Sequence, residues 1–157
     1  MRHRMRTTLL LLLLLIGVPL IPAASAQAGR LDWGARIAEV DRALAHGETT
    51  AVPAAWREAY VAAHVSRDWP GMLAVGNAAL RAARATGTPE VFEPRARRAY
   101  VTALLRARRQ ASRDGVLAAG EAFGRLGDRE AERLAKAEAA KLSRHAEDAA
   151  RRRARAL

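Results

Sequence analysis

The chain predicts an all-α protein built from antiparallel helical hairpins, and three observations predict it. Alanine, leucine, arginine and glutamate dominate, and no run favours strand, so helix propensity is high throughout. Glycine and proline fall at intervals that cut the chain into segments of helical length. Finally, parts of the sequence recur. Gly71-Met72-Leu73-Ala74-Val75-Gly76-Asn77-Ala78 matches Gly115-Val116-Leu117-Ala118-Ala119-Gly120-Glu121-Ala122 at five of eight positions, 44 residues on. Ala59-Tyr60-Val61 returns as Ala99-Tyr100-Val101, and Ser66-Arg67-Asp68 as Ser112-Arg113-Asp114. Three matches in one order indicate a duplicated helical hairpin.

The elements follow in order. A first helix over 32–45 carries Trp33, Ile37, Val40 and Leu44 on one face and ends near Gly47. After a connection over 49–53, a second helix runs over 53–66 with Trp56, Tyr60 and Ala63 in register. Asp68-Trp69-Pro70 makes a tight turn, because proline suits the first turn of a helix and not its interior. The third helix reaches about Ala85 and stops at Gly87. Thr88-Pro89 starts a fourth, which extends to about Gln110, its regular part beginning as late as Pro94. Asp114 is the expected cap of a fifth, ended by Gly124 or Gly127; Asp128 caps a sixth that runs into an arginine-rich tail over 149–157. Trp56, Tyr60, Leu73, Leu80, Tyr100, Leu104, Leu117 and Phe123 are the expected core, with Gly76, Ala79 and Ala119 letting helices approach closely.

Ahead of these helices stands a segment of another kind. Arg2, Arg4 and Arg6 precede a leucine-rich run over 9–16, then Pro19, Pro22 and Ala24-Ser25-Ala26. A basic start, a short apolar run and a small-x-small site read as a signal peptide over 1–26, cleaved after Ala26 or Ala28. A retained membrane anchor is the competing reading. The apolar stretch is 13 residues long, whereas a bilayer core takes about 20 residues of helix. The organisation expected is thus leader 1–26, N-terminal helix and linker 27–52, hairpin domain 53–148 and tail 149–157. The chain has no cysteine, which excludes disulfides, thiolate metal sites and a lipid-modified cysteine.

The net charge is +11, of which the three leader arginines carry a part. The excess gathers in two places: residues 81–113 hold nine basic and two acidic side chains, and the tail holds Arg151, Arg152, Arg153 and Arg155. Aromatic residues are not interleaved with the central patch in the way nucleic-acid readers require, so no nucleic-acid partner is expected. Attraction to an acidic protein or an anionic envelope surface fits better.

Trp56, Ala59 and Tyr60, the Arg67-Asp68-Trp69 turn, then Met72 and Ala79 resemble one tetratricopeptide repeat. Gly120, Phe123, Gly127-Asp128 and Ala131 resemble pieces of another. Arg67 stands where the family has a turn glycine, Tyr60 where it has a small residue, and the spacing is nearer 40 than 34. The resemblance covers 53–140 and implies hairpins stacked as a short solenoid; a closed helical bundle is the alternative architecture. It also implies a protein-interaction scaffold.

Chemistry finds little footing. His46 adjoins a helix end, His64 lies four residues before Asp68, and His145, Glu138 and Glu147 do not all fall on one face. Ser66 and Ser112 belong to turns. No enzyme activity, cofactor or metal is expected. One interaction site is: Arg95, Arg98, Arg106 and Arg109, spaced 3, 8 and 3, fall along one side of the fourth helix. Such a strip would grip carboxylates of a peptide or an anionic polymer, and Arg98 and Arg106 should be replaceable by glutamate without unfolding. The reading is an exported, non-catalytic interaction module of the cell envelope, periplasmic or secreted. The alternative is a basic protein on anionic envelope polymers or the membrane surface.

Overall fold

The computed structural model describes residues 23–156, with side chains from residue 33 onward. Six helices account for them: α1 (Ala23–Ala45), α2 (Val52–Val65), α3 (Trp69–Thr86), α4 (Pro89–Arg109), α5 (Arg113–Arg125) and α6 (Arg129–Arg155). No strand occurs among the described residues, so the fold is all-α. Residues 1–22 of the expected leader lie outside the described residues. No helix among the described residues is long and apolar enough to cross a membrane.

Local chemistry sets the boundaries. Pro53, Pro70 and Pro89 sit in the first turns of α2, α3 and α4, where a missing N–H costs nothing. Helix α4 begins at Pro89 and carries Pro94 inside it, earlier than the later of the two expected starts. Asp128 caps α6 as expected, its Oδ1 accepting from the Ala131 N–H at 3.1 Å. The cap of α5 is Ser112, whose Oγ accepts from Gly115 N at 3.1 Å; Asp114 already lies inside the helix. The segment expected as a separate tail continues α6 as exposed helix through Arg155.

The turns show the internal repeat. Gly47, Gly87 and Gly127, 40 residues apart, all hold the left-handed conformation (φ 71°, 67° and 78°) and end α1, α3 and α5. An N–H five residues on closes two of these ends, Glu48 N to Ala43 O and Asp128 N to Phe123 O. The turns after α2 and α4 also correspond, 44 residues apart. There Arg67 (φ 58°) and Ala111 (φ 50°) are left-handed without being glycine. This correspondence sets Asp68 against Ser112, two positions away from the Ser-Arg-Asp match read in sequence.

Packing repeats as well. Gly71 of α3 lies against Trp33 of α1 and Ala63 of α2, and Gly115 of α5 lies likewise against Trp69 of α3 and Ala107 of α4. A Cβ at 115 would stand 2.7 Å from Ala107 Cβ and from the Trp69 ring. Ala59, Ala99 and Ala139, again 40 apart, are buried in α2, α4 and α6. The broadest interfaces join α1 to α2, α3 to α4 and α5 to α6, while α1, α3 and α5 touch in succession. The natural hairpins are therefore α1–α2, α3–α4 and α5–α6, whereas the resemblance paired α2 with α3. Of the expected core, Trp56, Leu80, Tyr100 and Phe123 are buried; Tyr60, Leu73, Leu104 and Leu117 are partly buried against it.

Candidate functional site

The four arginines expected to share one strip do not. Arg106 is buried, 6% exposed, and its guanidinium points at the end of α2. Nη1 donates to Ala63 O (3.0 Å) and Asp68 O (3.1 Å), and Nη2 to His64 O (2.9 Å). The reason lies in the turn. After α4, the Ser112 N–H bonds back to Ala107 O at 2.9 Å; at the equivalent turn after α2, the Asp68 N–H goes to Ser66 Oγ. Ala63 O is left to Ser66 Oγ and to Arg106, which thus finishes the α2 terminus from the neighbouring hairpin. Burial lowers the Arg106 pKa below the usual arginine value, with the nearby Arg109 charge adding to the effect. Arginine still stays charged at any ordinary pH.

Arg95 also turns inward. Its guanidinium carbon sits 5.4 Å from the Trp56 ring centroid and 5.0 Å from that of Phe92, a cation–π sandwich between α2 and α4. Arg98 is exposed beside Pro94 and Val101, and Arg109 is exposed at the far end of the same helix. Two of the four are structural, and the other two occupy separate hollows. The substitution of Arg106 by glutamate, expected to be harmless, would place a carboxylate against three carbonyl oxygens.

A better-formed cluster lies where α3 meets α5. Asn77 Oδ1 accepts from Tyr100 Oη (2.9 Å) and from Arg125 Nη2 (3.0 Å). Tyr100 reaches Asn77 from α4 because Gly76 leaves room for its ring, which packs edge-on to Phe123 at 5.9 Å. Burial raises the Tyr100 pKa, and Arg125, Arg81 and Arg84 oppose that rise. The hydroxyl is therefore a neutral donor facing three guanidiniums.

Those guanidiniums are not equivalent. Arg81 is held by Asp41 of α1 in a two-point ion pair, Nε to Oδ1 at 2.9 Å and Nη2 to Oδ2 at 3.0 Å. Neither Arg84 nor Arg125 meets a carboxylate among the described residues. Both line an open hollow of about 340 Å³ with Asn77, Leu80 and Arg81. Chemically this is a fixed hydrogen-bonded floor under two uncompensated positive charges, suited to carboxylates. The 44-residue offset brings Arg81 onto Arg125, three residues past Ala78 and Ala122, so the repeat marks Arg125 but not its meeting with Arg84.

Two of the histidines are occupied locally: His46 Nδ1 lies 2.9 Å from Arg42 O, and His64 stacks on Tyr60 at 6.0 Å. Among the described residues, no three of His, Cys, Asp or Glu gather as metal ligands. No protein-family model, curated protein or solved structure matches this chain.

Proposed function

We propose that the chain is an exported interaction module of the cell envelope. In this reading it is an open stack of tetratricopeptide-like hairpins that holds an acidic segment of a protein partner and performs no chemistry on it. Export rests on the basic, apolar and small-residue leader. The open stack is supported by the succession of contacts along α1, α3 and α5, with no packed interface between α1 and α6 among the described residues. The observation that carries the binding role is the pair Arg84 and Arg125, uncompensated above the Tyr100–Asn77 floor. Guanidinium forks recognise carboxylates at two points, and a prearranged floor lowers the ordering cost of doing so.

A glutamate-rich peptide is the probe. Replacing Arg84 and Arg125 together by glutamate should weaken its binding about tenfold or more. The charge-matched control, Arg98→Glu with the exposed Arg57→Glu, should leave it unchanged to within about twofold. Equal losses in both variants would mean that net charge alone attracts the peptide. A second reading draws on α6, whose exposed end carries Arg151, Arg152, Arg153 and Arg155 on a continuous helix. Such an end would associate with anionic polymers or membrane surfaces, and that attachment would collapse as salt rises.

A further inference from the structure

A second charged hollow lies on the other face of the molecule, between the C-terminal ends of α2 and α4. It encloses about 610 Å³ and is bordered by Arg67, Thr102, Arg106, Arg109 and Gln110, among others. Arg106 forms its base, buried and committed to the three backbone carbonyls at the end of α2. Arg67 and Arg109 stand at the rim, and neither forms an ion pair among the described residues. Their charges reach the base: both act on the Arg106 guanidinium, and Asp68 is the carboxylate that opposes them there. Three guanidiniums against one carboxylate leave two positive charges in one hollow. A hollow lined by one sign of charge focuses its field and attracts anions.

The turn that carries Arg67 adds a contrast. Arg67 and Ala111 occupy equivalent left-handed positions, where glycine costs least. At 111 the side chain is a methyl group, and at 67 it is a guanidinium at the rim of the hollow. Gln110 ties the two rims, its Nε2 donating to Arg67 O at 3.4 Å. We infer that this hollow binds a phosphoryl dianion, held by Arg67 and Arg109 over the field of Arg106. A phosphomonoester carries a charge of about −1.5 to −2 on one group, which matches the uncompensated pair. The hollow opens to solvent and leaves room for the rest of a phosphoester beyond the phosphoryl group.

The test uses the full chain and two probes, inorganic phosphate and vesicles of phosphatidylcholine with or without phosphatidic acid. Phosphate should bind saturably with a Kd near or below about 1 mM, and Arg67→Ser with Arg109→Ser should weaken it about tenfold. The double variant should keep the wild-type melting temperature, since neither side chain is buried. Arg84→Ser with Arg125→Ser should bind phosphate like wild type, which separates this site from the acidic-peptide face. Binding to both probes, lost together in the rim variant, assigns a lipid phosphate; binding to phosphate alone assigns a soluble phosphoester. Absence of saturation by phosphate, or equal loss in the two double variants, overturns the proposal.

Discussion

Arg106 and Gly76 show how much one position can decide in this molecule. Removing the Arg106 guanidinium takes a charged donor from the carbonyls of Ala63, His64 and Asp68, while Ala63 O keeps Ser66 Oγ and His64 O keeps the Arg67 N–H, so Arg106→Ala should destabilise the fold by about 1–3 kcal/mol in urea unfolding. Arg98→Ala should change it by less than about 0.5 kcal/mol. A cost below about 0.5 kcal/mol for Arg106 would remove its capping role. A Cβ at 76 would fall into the Tyr100 ring, 2.6 Å from Cδ1, while one at Gly34 would meet nothing within 4 Å. Gly76→Ala should therefore cost about 1–3 kcal/mol by overpacking. Gly34→Ala should instead stabilise by about 0.5–1 kcal/mol through helix propensity. The burial of Arg106 was legible in part. It continues the 3-4 spacing of Phe92, Ala96, Ala99 and Ala103, all buried, but its charge argued for the outer face. The sequence did not show that a turn 43 residues earlier would leave a carbonyl for it.

Among the elements, α6 depends most on polar terms, because only Ala135 and Ala139 of its 27 residues are buried. Its start is fixed by Asp128, which accepts the Ala131 N–H and pairs with Arg97 of α4. Chiefly the backbone hydrogen bond, and then Arg97, hold the Asp128 carboxyl below the usual aspartate pKa. Glu132 is lowered similarly by Lys136 and Arg129. A lowered folded pKa means that the unfolded chain takes up its proton first as pH falls. Stability from Asp128 is thus present above about pH 4 and lost as pH drops through the depressed value. Asp128→Asn should flatten the fall of melting temperature between about pH 5 and pH 3, and an unchanged slope would exclude this linkage. Helix boundaries were readable wherever glycine or proline marks them. The cap of α5 was not, since Ser112 and Asp114 are both good caps and only the turn at Ala111 selects between them.

At the scale of the whole molecule, the described residues form three hairpins, and their period stood in the sequence as Gly47, Gly87 and Gly127. The motif beginning at Gly71 recurs at an offset of 44, whereas the ends of α3 and α5 recur at 40. The difference is four residues, about one helical turn, which α3 has in addition after the motif. That mismatch hid the register and with it the meeting of Arg84 and Arg125 beside Asn77. Periodicity reveals which residues share a helix face, but which faces meet depends on the turns. The proposed function gives the face around Asn77, Arg84 and Arg125 an acidic partner segment. It is tested most directly by titrating the ¹⁵N-labelled protein with a glutamate-rich peptide and mapping amide shifts by NMR. Shifts should gather on Asn77, Leu80, Arg81, Arg84 and Arg125 if the peptide sits over this hollow. Shifts gathered instead around Arg98, or spread evenly over every exposed arginine, would contradict it.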